Sequence, residues 1–222
     1  MRGFVRENSL TLFFGALFLA ALAGQSAAGY YTFNDDARLH GETTLSYPRY
    51  LVSSAFGQAV LENWQSEYLQ FFLFIAATIW LLQKGSPEST DKPGPGTDRE
   101  QRVGRYAPER SPRWARVGGA RQTLYSYSLL IVMGLLFLGS WAGQSVTGWN
   151  ELSDQQRAHG EAGLSYLGYL GSPEFWEDTT QNWQSEFLAV GTMAIFAVYL
   201  RARGSAESKP VGTPHAETTS NE

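Results

Sequence analysis

Residues Ser9–Ser89 align without a gap on Ser128–Ser208, about 119 positions further along, and about 34 of about 81 positions are identical. Unrelated helical segments do not match so closely. The chain is therefore read as two copies of one unit, and any fold it adopts must be built twice. The identities gather in polar motifs. AGQS at Ala23–Ser26 recurs at Ala142–Ser145, and D-x-x-R-x-H-G-E at Asp35–Glu42 recurs at Asp154–Glu161. LSY at Leu45–Tyr47 recurs at Leu164–Tyr166, and NWQSE at Asn63–Glu67 recurs at Asn182–Glu186. GS-x-ES at Gly85–Ser89 recurs at Gly204–Ser208. The apolar stretches between them have drifted. A lipid-facing surface accepts many apolar side chains, whereas a polar group near a membrane needs its partner. Packing and capping alone can hold such motifs, so their retention supports a structural role as well as a functional one.

Four segments read as membrane spans. Leu10–Gly29 is apolar apart from Thr11, Gln25 and Ser26, and matches the roughly 20 residues that cross a bilayer. Leu124–Gly143 reads the same way. Leu69–Leu82 and Leu188–Leu200 are shorter runs, extended outward by the NWQSE turns, with Trp64, Trp80, Trp183 and Tyr199 near their ends as interfacial aromatics. The first segment, preceded by Arg2 and Arg6 and followed by small residues, imitates a signal peptide. Its mid-chain counterpart argues for an uncleaved anchor. Arg2 and Arg6, the basic residues Lys84–Arg121, and Arg201, Arg203 and Lys209 flank the spans on one side; the loops on the other side hold only Arg38, Arg49 and Arg157. The positive-inside rule then places both termini cytoplasmic and two acidic loops outside, in a multi-pass protein of the cell membrane. With an even number of spans per copy, the repeats are parallel.

The expected fold is all-α: an integral membrane four-helix protein from two tandem parallel hairpin repeats, with long helices projecting beyond the bilayer on the outer side. The expected divisions are a first hairpin over 1–84, a disordered basic linker over 85–122, a second hairpin over 123–204 and a disordered tail over 205–222. The linker is rich in Pro, Gly, Ser and charge, and acts either as a tether or as a ligand for anionic headgroups. Gly41 and Gly160 are expected helix stops. Ser172-Pro173-Glu174 is an expected start, matched by Ser53-Ser54. A helix from Pro173 to Arg203 would be about 46 Å long, exceeding a hydrocarbon core of about 30 Å.

Depth along these helices puts Gln25, Ser26, Asn63 and Glu67 in one layer near the outer boundary, with Gln144, Ser145, Asn182 and Glu186 from the second copy. Such a polar belt is either interhelical glue or, because intramembrane carboxylates are costly, a site. The outer-loop motif supplies Asp35, Arg38, His40 and Glu42, with Asp154, Arg157, His159 and Glu161. Imidazoles and carboxylates suit a divalent metal, but one histidine per repeat matches no specific ligand pattern, and a histidine in the last helical turn is favoured by the helix dipole. Neither a metal nor a cofactor is assigned. With no cysteine, thiolate chemistry and disulfides are excluded. No nucleophile–base arrangement, P-loop or dinucleotide fingerprint appears, and a basic linker without a fold is too weak a signal to make nucleic acid an expected partner. The expected partners are the lipid bilayer and a protein, either another chain or a second copy.

The G-Q-S, H-G-E and N-W-Q-S-E series resembles a family of small duplicated membrane proteins of bacteria, chiefly actinobacteria, of unknown function. The resemblance covers both repeats, and N-W-Q-S-E is its most specific part. It implies a multi-pass helical membrane protein and assigns no catalytic residue. The leading reading is a non-enzymatic structural or interaction protein with an acidic external face. The others are a small ion or solute transporter with a polar site at the repeat interface, and a metal-dependent membrane enzyme using His40, Glu42, His159 and Glu161.

Overall fold

The computed structural model describes residues 2–218, and among these it is helical with no strand. In chain order the helices are α1 (Arg2–Glu7), α2 (Ser9–Leu39), α3 (Tyr47–Tyr50), α4 (Ser54–Trp80), α5 (Arg113–Arg116), α6 (Gly119–Ser126), α7 (Ser128–Ala158), α8 (Tyr166–Leu170) and α9 (Pro173–Tyr199). Contacts gather the chain into two compact units, Met1–Val60 with Gly143–Leu170, and Leu61–Ala142 with Gly171–Glu222. Helices α4 and α7 each contribute residues to both.

Two helices are long and apolar enough to cross a membrane, α2 and α7, each 31 residues. Only 6% of the apolar window of α2 and 17% of that of α7 is buried, so neither is the core of a globular body. The other two expected spans fall short of that test. Their apolar runs, Leu69–Leu82 and Leu188–Leu200, follow polar turns containing Asn, Gln and Glu.

Local chemistry explains the helix ends. At the end of α2, the Glu42 N–H donates to the Ala37 carbonyl at 2.7 Å and the Gly41 N–H to that of Arg38 at 3.2 Å. Gly41 sits at φ 72°, as this double bond requires. Helix α7 ends the same way, Glu161 to Gln156 at 2.9 Å and Gly160 to Arg157 at 3.0 Å, with Gly160 at φ 76°. Half of the H-G-E motif is thus a helix stop. At the start of α9 the Ser172 hydroxyl accepts from the Phe175 N–H, with proline in the first turn and Glu174 near the positive dipole end. Ser53 accepts from Phe56 in the same manner at 3.3 Å. Helix α9 ends at Tyr199, short of the expected Arg203. The Arg201 guanidinium folds back and donates to the carbonyls of Ala197, Val198 and Leu200, which satisfies acceptors of the last turn; α4 ends at the matching position, Trp80, with Leu82 in the place of Arg201.

Between 85 and 122, the segment expected as a linker, lie a 3-10 turn at Gly104–Tyr106, α5 and the start of α6. The two GS-x-ES motifs form matching turns. Ser89 accepts from the Gln83 N–H and Ser208 from the Ala202 N–H, both at 2.9 Å, with Gly85 at φ 86° and Gly204 at φ 85°.

Candidate functional site

The unit containing α2, α3, α8 and the second half of α7, from Gly143, is pinned by three kinds of contact, and two of them occur twice. The Ser26 hydroxyl meets the Tyr47 hydroxyl at 2.7 Å, and Ser145 meets Tyr166 at the same distance. AGQS and LSY are therefore two ends of one bond. One helical turn further along, Gly29 and Gly148 lie under the buried hydroxyl ends of Tyr50 and Tyr169; a Cβ on either glycine would collide with that oxygen. The third contact holds the loop by its leucine, with different side chains in each half. Asn34 accepts from the Leu45 N–H at 2.7 Å and donates to its carbonyl at 3.0 Å. In the second half Trp149 donates to the Leu164 carbonyl at 2.8 Å, and Gln156 accepts from its N–H at 3.1 Å.

Above these contacts the two histidine motifs come together. His40 and His159 line one cavity of about 270 Å³. The first half adds Phe33, Asp36, Ala37 and Glu42 to its wall, and the second adds Glu151 and Gln155. The halves are unequal here. Asp36 corresponds to Gln155, and Glu151 to Thr32, so each contributes one helical carboxylate from a different register. Each imidazole Nδ1 bonds a carbonyl four residues back, Asp36 at 3.0 Å and Gln155 at 2.8 Å. A carbonyl only accepts, so Nδ1 carries the proton and Nε2 of the neutral ring carries the lone pair. The His40 Nδ1 is also 3.4 Å from Asp36 Oδ1.

Electrostatically the cavity is acidic. Arg38 and Arg157 point away from it onto Asp35 and Asp154, at 2.6 and 2.9 Å, on the exposed helix surface. Among the described residues no lysine or arginine pairs with Asp36, Glu42 or Glu151. Burial pushes the Glu151 carboxyl above its ordinary value; a bond from Gln155 opposes the shift, and the charges of Asp154 and Glu42 add to it. Burial likewise raises the Tyr50 hydroxyl, with Glu151 and Tyr47 adding. Among the described residues no three histidine or acidic side chains converge closely enough to hold a metal ion.

The remaining site residues lie elsewhere. Glu161 completes the helix stop through its backbone and does not line the cavity. Gln25 donates to the Ala59 carbonyl at 3.3 Å rather than to a carboxylate. Gln144 is fully buried, and no side chain or backbone group among the described residues bonds its amide. In the second unit Asn182 donates to Glu62 at 2.6 Å, and Trp183 donates to the fully buried Gln65 at 2.7 Å. Glu186 lies within electrostatic reach of Glu67, and Ser66, beside Asn63, donates to the Asn63 carbonyl. Glu62, Gln65 and Glu151 were not singled out in the sequence. None belongs to a His-Gly-Glu or Asn-Glu pair; only the recurrence of NWQSE pointed to Gln65.

A family model for a domain of unknown function, DUF6766, matches residues 1–220. The chain belongs to this family. Neither a curated protein nor a solved structure matches the chain. The DUF6766 model spans both histidine motifs, both AGQS motifs and both NWQSE motifs, so every residue of the cavity lies inside the family domain.

Proposed function

We propose that this DUF6766 chain is a four-span membrane protein whose two outer loops jointly form a binding pocket, and that its role is to engage a ligand or partner at the extracytoplasmic face. The observation that carries this reading is the meeting of His40 and His159, from motifs about 119 residues apart in sequence, in one cavity. A motif held only as a helix stop needs glycine and backbone bonds. It does not need histidines facing a shared space. Helices apolar around their circumference and left unburied are at home only in lipid. With α2 and α7 spanning, and the shorter apolar runs of α4 and α9 returning the chain, the basic segments are cytoplasmic and the histidine loops outside.

A native chain without cysteine permits a direct test. Thr43→Cys and Ala162→Cys, both at exposed loop positions, are expected to react with a membrane-impermeant maleimide on intact cells, and Glu109→Cys only after lysis. Labelling of Glu109→Cys on intact cells, or protection of both loop positions, would overturn the topology and with it an outward-facing pocket.

A further inference from the structure

We propose that the His40–His159 cavity binds a primary ammonium or guanidinium group, brought either by a free small amine or by a lysine or arginine side chain of a partner. This rests on the pocket reading above and adds the chemical class of its ligand.

Charge gives the sign. Asp36, Glu42 and Glu151 face the cavity, while Arg38 and Arg157 are occupied with Asp35 and Asp154 outside it. Helices α2 and α7 both end at the cavity, and each helix C-terminus carries about half a negative charge. Nothing on the wall but the imidazoles is able to become cationic. Hydrogen-bond polarity points the same way. The Nδ1 atoms of His40 and His159 are committed to backbone carbonyls, so Nε2 is the ring nitrogen left to accept in the neutral form. The Gln155 amide N–H donates to Glu151, leaving its oxygen to accept. A wall of acceptors calls for a ligand of donors; ammonium carries three N–H groups and guanidinium five.

Size and shape decide between a metal and an organic cation. A cavity of about 270 Å³ has the space of roughly nine waters at about 30 Å³ each. That is too wide for a bare ion, and no three ligating side chains among the described residues converge within metal reach. It suits the end of a lysine or arginine side chain. Phe33 lines the wall and supplies an aromatic ring, a group that attracts organic cations.

The test uses the full chain in lipid nanodiscs, with melting temperature followed while n-butylammonium, n-butylguanidinium, neutral n-butanol or zinc chloride is titrated. Either cation is expected to raise the melting temperature by about 3 °C or more near saturation, and butanol to leave it unchanged. The shift is expected to vanish in the Glu42→Gln, Glu151→Gln double variant and to persist in Asp35→Asn, whose carboxylate lies outside the cavity. Should the double variant fail to fold, Asp36→Asn alone is expected to weaken the cation at least fivefold. Blocked Gly-Lys-Gly and Gly-Arg-Gly peptides separate the sources: tighter binding than the butyl compounds assigns a protein side chain, weaker binding a free amine, and both outcomes support the proposal. Equal shifts with butanol, no shift with either cation, or a cation shift indifferent to the carboxylate variants would overturn it. A response to zinc alone would overturn the ligand class and leave the pocket standing. Failure of the pocket itself is read separately, from the labelling of Thr43→Cys and Ala162→Cys.

Discussion

Replacing Gly148 by alanine sets two effects against each other on one helix. Alanine favours a helix interior over glycine by about 1 kcal/mol, so the change should stabilise α7 if space allows. Space does not allow it. The new Cβ would collide with the Tyr169 hydroxyl, and the Tyr169 ring carbon bearing that oxygen lies only 3.0 Å away. Tyr169 is almost completely buried and has nowhere to swing. Overpacking of this kind costs about 1–3 kcal/mol, so the expected net effect is a loss of up to about 2 kcal/mol. In a chain of this size that is a fall in melting temperature of about 4–8 °C at the upper end. Gly139, in the same helix, supplies the control. Nothing lies within 4 Å of its would-be Cβ, so Gly139→Ala should gain up to about 1 kcal/mol and melt slightly higher. The decisive measurement is a double-mutant cycle in detergent micelles followed by circular dichroism. Tyr169→Phe removes the colliding oxygen, and Gly148→Ala in that background should cost at least about 0.5 kcal/mol less than in the native chain. If the two glycine variants shift in the same direction, or if the cycle shows no coupling, the tyrosine-over-glycine packing is not what holds the outer loop.

Other expectations are independent of that contact. Glu151→Gln should flatten the dependence of stability on pH. The native carboxyl has a folded value raised above 4.5, so the folded chain holds its proton longer, and stability falls as pH rises through that window; glutamine removes the fall, seen as convergent melting curves at low pH and a more stable variant at neutral pH. Asn34→Ala strands the Leu45 backbone beside a buried position and should cost about 1–3 kcal/mol, measured by chemical denaturation in micelles. Trp183→Phe leaves the Gln65 carbonyl without its donor and should cost a similar amount, about 1–3 kcal/mol. Ser172→Ala should lose about 1 kcal/mol of cap, with no effect on maleimide labelling of the loops.

The helix ends were legible because their chemistry is local. His-Gly-Glu announces a left-handed stop, and Ser-Pro-Glu announces a start, whatever lies around them. The end of α9 was not, because no glycine or proline marks it, although α4 and α9 end at the same register of the repeat, Trp80 and Tyr199. The apolar character of α2 and α7 was equally plain, whereas in α4 and α9 NWQSE precedes apolar runs of only 14 and 13 residues, and these helices fall short of the same test. The histidines were visible as a repeated motif, but their meeting was not, since nothing in a helical period says which faces converge. Glu151 was the least legible. Its counterpart is Thr32, so the comparison of halves that exposed the other residues hid this one. Gln25 and Gln144 share a motif and still differ, one bonded to a backbone carbonyl and the other enclosed with no partner among the described residues.

The bond between Ser26 and Tyr47 spans 21 residues, and so does that between Ser145 and Tyr166. Both partners of each bond are synthesised before the helix that follows them, α4 or α9. Closing so short a loop takes well under a microsecond, against a synthesis rate of about 5–20 residues per second. Each Ser–Tyr bond therefore lies wholly within its own half and needs nothing from the other to close. The cavity differs: its wall draws on both halves, so it cannot exist until the second has been made.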